Sequence, residues 1–222
     1  TPSNWSNNPN RPVEQVSWVD IQVFLTRLNA SEQAAGRLPS GWSYVLPTEA
    51  QWEYVCRAGT TTAYSWGDTI SASDANWNHG NDANQTEDVA QYSANPWGFF
   101  DMHGNVWEWT ADWYDATNPI GNPVVDPTGA VSGSYRLFRG GSWSYAGTSL
   151  RSANRANNLP SDRSPGIGFR VGFKQINQSP TNLTNPAPLT IAENQPIGTV
   201  VGEFNATDSD VNATLTYHLV SG

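Results

Sequence analysis

The sequence predicts an α+β domain low in regular secondary structure, on three observations. Two short segments carry capping boxes that open helices. Elsewhere Gly, Pro, Asn and Asp interrupt the chain every few residues, so no long periodic run survives. Finally, 11 Trp in 222 residues supply large rigid apolar areas that can pin irregular segments.

The first helix is expected to open at Ser17-Trp-Val-Asp20. Ile21, Phe24, Leu25 and Leu28 then follow at helical spacing, with the end before Gly36. The second is expected to open at Thr48-Glu-Ala-Gln51, run through about Arg57 and stop at Gly59. Every Trp lies between Trp5 and Trp143, and every Lys and Arg lies at or before Lys174. A polar run over 176–188 then reads as a linker. Residues 189–222 hold four acids and no base, with strand-like alternation at Thr199–Phe204 and Thr214–Val220. The expected organisation is therefore a main domain at 1–175, a linker at 176–188 and a short β-rich segment at 189–222. The start at Thr1 and the end after a strand-like run make a fragment the simplest reading, with a processed mature chain as the alternative.

Composition excludes several function classes. Charged residues make up 14% of the chain, against roughly 25% in an average soluble domain. The formal charge is −9, from 20 acids against 11 bases, which argues against nucleic acid as a partner. There is no apolar run long enough for a membrane span. Cys56 is the single cysteine, so neither an internal disulfide framework nor a cysteine-based zinc site can form. No phosphate-binding loop and no G-x-S-x-G elbow is present.

Several segments stand out together: Tyr44–Tyr54, Tyr64-Ser-Trp-Gly-Asp68, Trp97–Trp109, Arg139-Gly-Gly-Ser-Trp143, Leu150–Arg155 and Gly166-Ile-Gly-Phe-Arg-Val171. In this order they resemble the formylglycine-generating enzyme family, also called sulfatase-modifying factor domains, over about residues 9–173. The resemblance implies a variant C-type-lectin-like fold with bound calcium.

Calcium takes six to eight oxygens and mixes carboxylates with carbonyls. Asp101 and Glu108 bracket a loop in which Gly104 can turn carbonyls inward. The resemblance implies a calcium site at the side chains of Asp101 and Glu108 and the carbonyls of Gly104 and Val106. The plainer alternative has Asp101 capping a turn and Glu108 paired with an arginine. A second implied site begins at Asn76 and the carbonyl of Trp77, with Asp82, Glu87 and Asp88 as candidate acids.

Enzymes of the family oxidise a substrate cysteine with copper held by two thiolates, which such a soft site requires. Ser142 matches the family's active-site serine. Tyr145 stands where the first cysteine belongs, and 146–150 holds no second one. Cys56 matches a helix cysteine whose usual partner near Phe169 is absent, and it reads as a buried small hydrophobe. Copper is therefore not expected, and no catalytic residue is assigned. A related branch uses iron on clustered histidines, whereas His79, His103 and His218 stand far apart in the chain.

A third branch, the variable proteins of diversity-generating retroelements, uses the fold as a binding platform. By that resemblance Trp143, Ser144, Tyr145, Arg151, Asn154 and Arg155 form a candidate surface for a protein or carbohydrate ligand. Tyr and Trp give rigid contact area, and Ser and Asn give adaptable hydrogen bonds. Ordinary loop residues, with Arg151 and Arg155 in structural ion pairs, are the alternative. Residues 189–222 are similar to the opening strands of a cadherin-like repeat, a truncated Ig-like sandwich. There Glu193, Asp208 and Asp210 match junction calcium ligands, or else form a solvated acidic turn. The expected whole is a calcium-stabilised binding or structural module of an extracellular or cell-surface protein of bacterial type. An active family enzyme using non-standard residues is the alternative.

Overall fold

The computed structural model describes residues 2–80, 84–116 and 127–176, together with the backbone of 181–184 and 205–207. Helix α1 is Trp18–Ala34. Its capping box is reciprocal: the Ser17 amide donates to Asp20 Oδ2 at 2.9 Å, and the Asp20 amide to Ser17 Oγ at 3.1 Å. The helix buries Ile21 and Leu25, while Phe24 stays exposed with its ring edge-on to Phe169. Strand β1, Trp42–Val45, precedes helix α2, Glu49–Arg57. Thr48 caps α2 in the expected box with Gln51. The left-handed turn that ends it begins one residue before the expected glycine, at Ala58, and continues through Gly59.

Strands β2 (Trp107–Trp113), β3 (Arg136–Arg139), β4 (Ala156–Asn158) and β5 (Ile167–Phe169) form a mixed sheet in the order β4-β3-β2-β5. The β2–β3 and β3–β4 pairs are antiparallel, and β2–β5 is parallel with Trp107 opposite Ile167. Strand β6, Gly172–Gln175, pairs with β1. The main core joins Val16, Ile21 and Leu25 to Leu46, Trp107, Trp109, Phe138 and Ile167. Two smaller clusters lie elsewhere: Trp52, Cys56 and Met102, and Tyr64, Ala75 and Leu150.

No helix or strand is assigned to the described residues between Ala58 and Val106. Polar tips of aromatic side chains fasten this stretch. The Tyr64 hydroxyl donates to the Gly147 carbonyl at 2.9 Å, the Trp66 indole to Thr69 O at 2.9 Å, and the Trp77 indole to Ser71 O at 3.1 Å. Each ring covers apolar surface while its polar atom satisfies a loop carbonyl.

The chain divides into two compact units, 1–31 with 44–172, and 32–43 with 173–222. Within the second, Trp42 stacks on Phe173 at 4.9 Å. Residues Thr181–Thr184, inside the run expected to be a linker, form strand β7. It pairs antiparallel with β8, Asn205–Thr207. The β-branched Thr181 and Thr184 favour that extended backbone. The segments Thr199–Phe204 and Thr214–Val220 lie outside the described residues, as do Asp82, Glu193, Asp208, Asp210 and His218.

Candidate functional site

The loop entering β2 is built on left-handed backbone at Asp101 (φ 56°), Gly104 (φ 95°) and Asn105 (φ 64°). At Gly104 any Cβ would strike the backbone carbonyl oxygen of Asn76, so a side chain is excluded on space as well as on φ. Asn105 is the hub of this region. Its Oδ1 accepts from the Glu87 amide at 3.0 Å and from Asn76 Nδ2 at 3.3 Å, and its Nδ2 donates to Glu87 O at 3.2 Å. Its backbone donates to Asn76 O and accepts from the Trp143 amide. One buried amide therefore ties the 76, 87 and 143 segments together. Sequence reasoning missed it, and the only local signal was an Asn following a Gly.

Asp101, Gly104, Val106 and Glu108 line one cavity of about 480 Å³, walled mainly by apolar residues. Burial pushes the Asp101 carboxyl above its ordinary range, and its Oδ2 accepts from the Ala90 amide at 2.8 Å. Glu108 is more heavily engaged. Arg170 Nη2 and Nε reach its two oxygens at 2.8 and 3.0 Å, and the Trp52 indole donates to Oε2 at 2.7 Å. The Glu108–Arg170 pair is the plainer of the two readings offered by the sequence, and a cation in this cavity would have to compete with Arg170 and Trp52 for the Glu108 oxygens. Among the described residues no three His, Cys, Asp or Glu side chains gather as a metal cluster, so such a site would need the carbonyls.

At the second implied site, Asn76 is buried, and its Nδ2 also donates to Gln85 O at 3.0 Å. Glu87 accepts from the Tyr92 hydroxyl and Asp88 from Asn8 Nδ2. The Trp77 carbonyl accepts from the His79 amide.

Hydrogen-bonded to the loop entering β2 through the Gly104 amide and Gly140 O at 2.8 Å, Gly140 and Gly141 take φ of 99° and 79° and lead into Ser142. Ser142 is fully buried, with Oγ 3.2 Å from Ser144 Oγ. Tyr145 is half-exposed and sets its ring edge-on to Trp107 at 5.5 Å. Trp143 donates its indole N–H to Pro165 O and lies edge-on to Trp5. Ser144 and Tyr145 are thus exposed beside a half-buried Trp143, and Arg151 is exposed too, with its Nε donating to Thr148 O. Asn154 and Arg155 turn inward. Asn154 Nδ2 donates to Ser149 O at 2.9 Å. Arg155 grips both Glu49 oxygens at 2.6 and 2.8 Å and packs over Tyr114.

Arg139 of β3 is fully buried, a placement the sequence did not reveal. It pairs with Glu53 and Glu49 and donates to the carbonyls of Ser152, Ala153 and Asn154. Cys56 is also fully buried, and burial pushes its thiol up to about 12. Its Sγ lies 3.5 Å from His103 Nε2. His103 Nδ1 sits 2.7 Å from Leu150 O and the Ser65 amide donates to Nε2, so Nδ1 carries the proton. Burial holds this imidazole down at about 4.

The model of the sulfatase-modifying factor enzyme 1-like domain matches residues 1–174. The chain belongs to this family. The formylglycine-generating enzyme of Streptomyces coelicolor is 35% identical over 186 residues, covering 76% of this chain and 54% of that protein. The chain spans about half the length of the curated formylglycine-generating enzymes it matches. Among solved structures, Treponema denticola variable protein 1 superposes with a TM-score of 0.68 at 24% identity, covering 79% of this chain and 77% of that one. PvdO from Pseudomonas aeruginosa gives 0.64 at 31% identity, covering 76% and 64%. These neighbours share the family's mixed sheet and sparse helices, and the low identity of the first speaks to fold alone.

Proposed function

We propose that this domain is a calcium-stabilised binding or structural module of an extracellular or cell-surface protein, built on a C-type-lectin-like variant of the family fold and without copper chemistry. The observation that carries it is the state of the thiol. Cys56 is the chain's only one, fully enclosed beside His103, and its burial disfavours the thiolate that copper requires. At the position of the family's first copper ligand stands the phenol of Tyr145, a half-exposed aromatic suited to contact rather than to soft-metal ligation. The run Trp143-Ser144-Tyr145 is the surface we assign to a protein or carbohydrate ligand. Asp101, Glu108, Gly104 and Val106 are the residues that would hold calcium, where it would lock the loop entering β2. The tail is read as the start of a cadherin-like repeat.

The test is direct. The purified chain should show no tight Cu(I) binding and should leave a cysteine-containing sulfatase peptide unchanged; formation of the peptide aldehyde would overturn the reading. Calcium should raise the melting temperature over chelator, and Asp101→Asn should abolish that rise. The alternative reading, an active family enzyme on non-standard residues, is favoured by the 35% identity to a protein named formylglycine-generating enzyme. The same peptide assay decides between the two.

A further inference from the structure

The loop between α2 and β2 carries a shallow cleft that is separate from the Trp143–Tyr145 run. Trp66 and Phe99 flank it, and both are exposed. Trp66 is held rigidly. Its ring stacks on Tyr64 at 5.3 Å and only 5° from parallel, its edge meets His103, and its indole N–H donates to Thr69 O. Phe99 is fixed by the buried Asn95, whose Oδ1 accepts from the Phe99 and Trp97 amides while its Nδ2 donates to Val55 O and Cys56 O. The same clamp presents exposed Trp97 against exposed Tyr54, with ring centroids 4.9 Å apart, so the aromatic surface extends beyond the cleft.

Between the flanks the floor is polar and incompletely satisfied. Ser65 Oγ and Ser93 Oγ have no protein partner among the described residues, and Asp74 uses only Oδ2, toward Ser71. No Lys or Arg lines the cleft, and its one histidine, His103, is already engaged, donating from Nδ1 to Leu150 O and accepting at Nε2 from the Ser65 amide.

The cleft itself has room for only about 10 Å³, and Ser65 is buried in it, whereas Trp66 and Ser93 are exposed. We propose that the aromatic surface at its mouth binds a neutral glycan, with a pyranose ring against Trp66 and its hydroxyls on Ser93 and Asp74. Three features select that chemistry. Rigid exposed rings offer apolar faces at little entropic cost, which suits the flat C–H face of a sugar. Idle hydroxyl and carboxylate oxygens match a ligand that both donates and accepts hydrogen bonds. Carboxylates without a lining cation disfavour uronic acids and sulfated sugars. Asp101, a candidate calcium ligand, also borders the cleft, so the titrations are run both with calcium and with chelator; the site does not depend on the absence of copper chemistry.

The test uses the full chain and calorimetric titration with cellohexaose, mannohexaose and chitohexaose, with heparin as the anionic control. At least one neutral hexasaccharide should bind. Trp66→Ala should weaken that binding about tenfold or more, and Trp66→Phe should recover part of it. Ser93→Ala, at an exposed hydroxyl with no protein partner, leaves the fold untouched and should cost a few-fold. Tyr145→Ala should change nothing. The proposal is overturned if no neutral hexasaccharide binds at millimolar concentration, if heparin alone binds, or if binding survives Trp66→Ala and Ser93→Ala. Loss of binding in Tyr145→Ala alone would also overturn it, moving the sugar to the Trp143–Tyr145 run.

Discussion

Glu14 and His103 show how a charge-poor chain uses titratable groups inside the protein. Glu14 is fully buried; the Asn4 and Trp5 amides donate to Oε1, and Oε2 has no partner. Burial raises its carboxyl, so the folded state holds the proton more tightly than the unfolded chain does. Its contribution is therefore full below the unfolded value and is lost as pH rises through the folded one. Glu14→Gln keeps an acceptor for both amides and removes the buried charge. We expect it to gain about 1 kcal/mol over wild type at pH 7 and to lose that advantage at pH 4, as read from urea unfolding at both pH values. His103 has the opposite sign. Its folded value, about 4, lies below the unfolded 6.5, so the unfolded chain takes up the proton first on acidification. Stability should fall by up to ~3 kcal/mol between pH 6.5 and 4. His103→Asn, which can still donate to Leu150 O, should lower overall stability and flatten the pH slope over that window. An unchanged slope would remove His103 as its source.

Among the elements, tight backbone approaches decide where the chain tolerates change. Gly141 and Gly98 both have left-handed φ, 79° and 85°, but only one is enclosed. A Cβ at Gly141 would lie 2.5 Å from Leu150 Cδ1 and 3.0 Å from its Cα, whereas at Gly98 nothing lies within 4 Å. Gly98→Ala should cost only the conformational term, about 1 kcal/mol. Gly141→Ala adds the clash between the loop after β3 and the Gly147–Leu150 turn and should cost about 3 kcal/mol or more. Thermal melts of the two variants side by side would check this, and equal losses would refute the packing argument. The helices were legible from sequence because a capping box is complete within four residues, as at Ser17–Asp20 and Thr48–Gln51. The sheet order was not. Nothing local in Ile167–Phe169 announces a parallel pairing with β2 some sixty residues earlier. Arg139 was opaque for the same reason, since its carboxylate partners sit on α2, 86 residues away in the case of Glu53. Asp101 and Glu108 could be picked out as candidates by the resemblance and the Gly-containing loop they bracket, and an arginine partner for Glu108 was the stated alternative, but nothing local identified that arginine as Arg170, 62 residues away.

At the scale of the molecule, the buried apolar clusters among the described residues fall between Val16 and Ile167. The ion pairs Arg139–Glu53, Arg155–Glu49, Arg163–Asp20 and Arg170–Glu108 join residues far apart in the chain, all between Asp20 and Arg170. Their energetic weight differs with burial. Arg163–Asp20 is exposed and worth little despite holding the Asp20 carboxyl near 2, while Arg139 and Glu108 lie inside. The family match also ends at residue 174. A span of this length can bury a proper core without help, so cooperativity should reside in it. We therefore expect a chain ending at Ile176 to unfold in a single calorimetric transition, with a melting temperature within about 4 °C of the full chain, equivalent to ~1 kcal/mol at this size. A broad transition, or a much larger drop, would mean that residues 177–222 contribute to the core and would refute a self-sufficient family domain. Adding 0.5 M salt should move the midpoint little in either chain. The exposed Arg163–Asp20 pair is screened, whereas the enclosed Arg139 and Glu108 pairs are not.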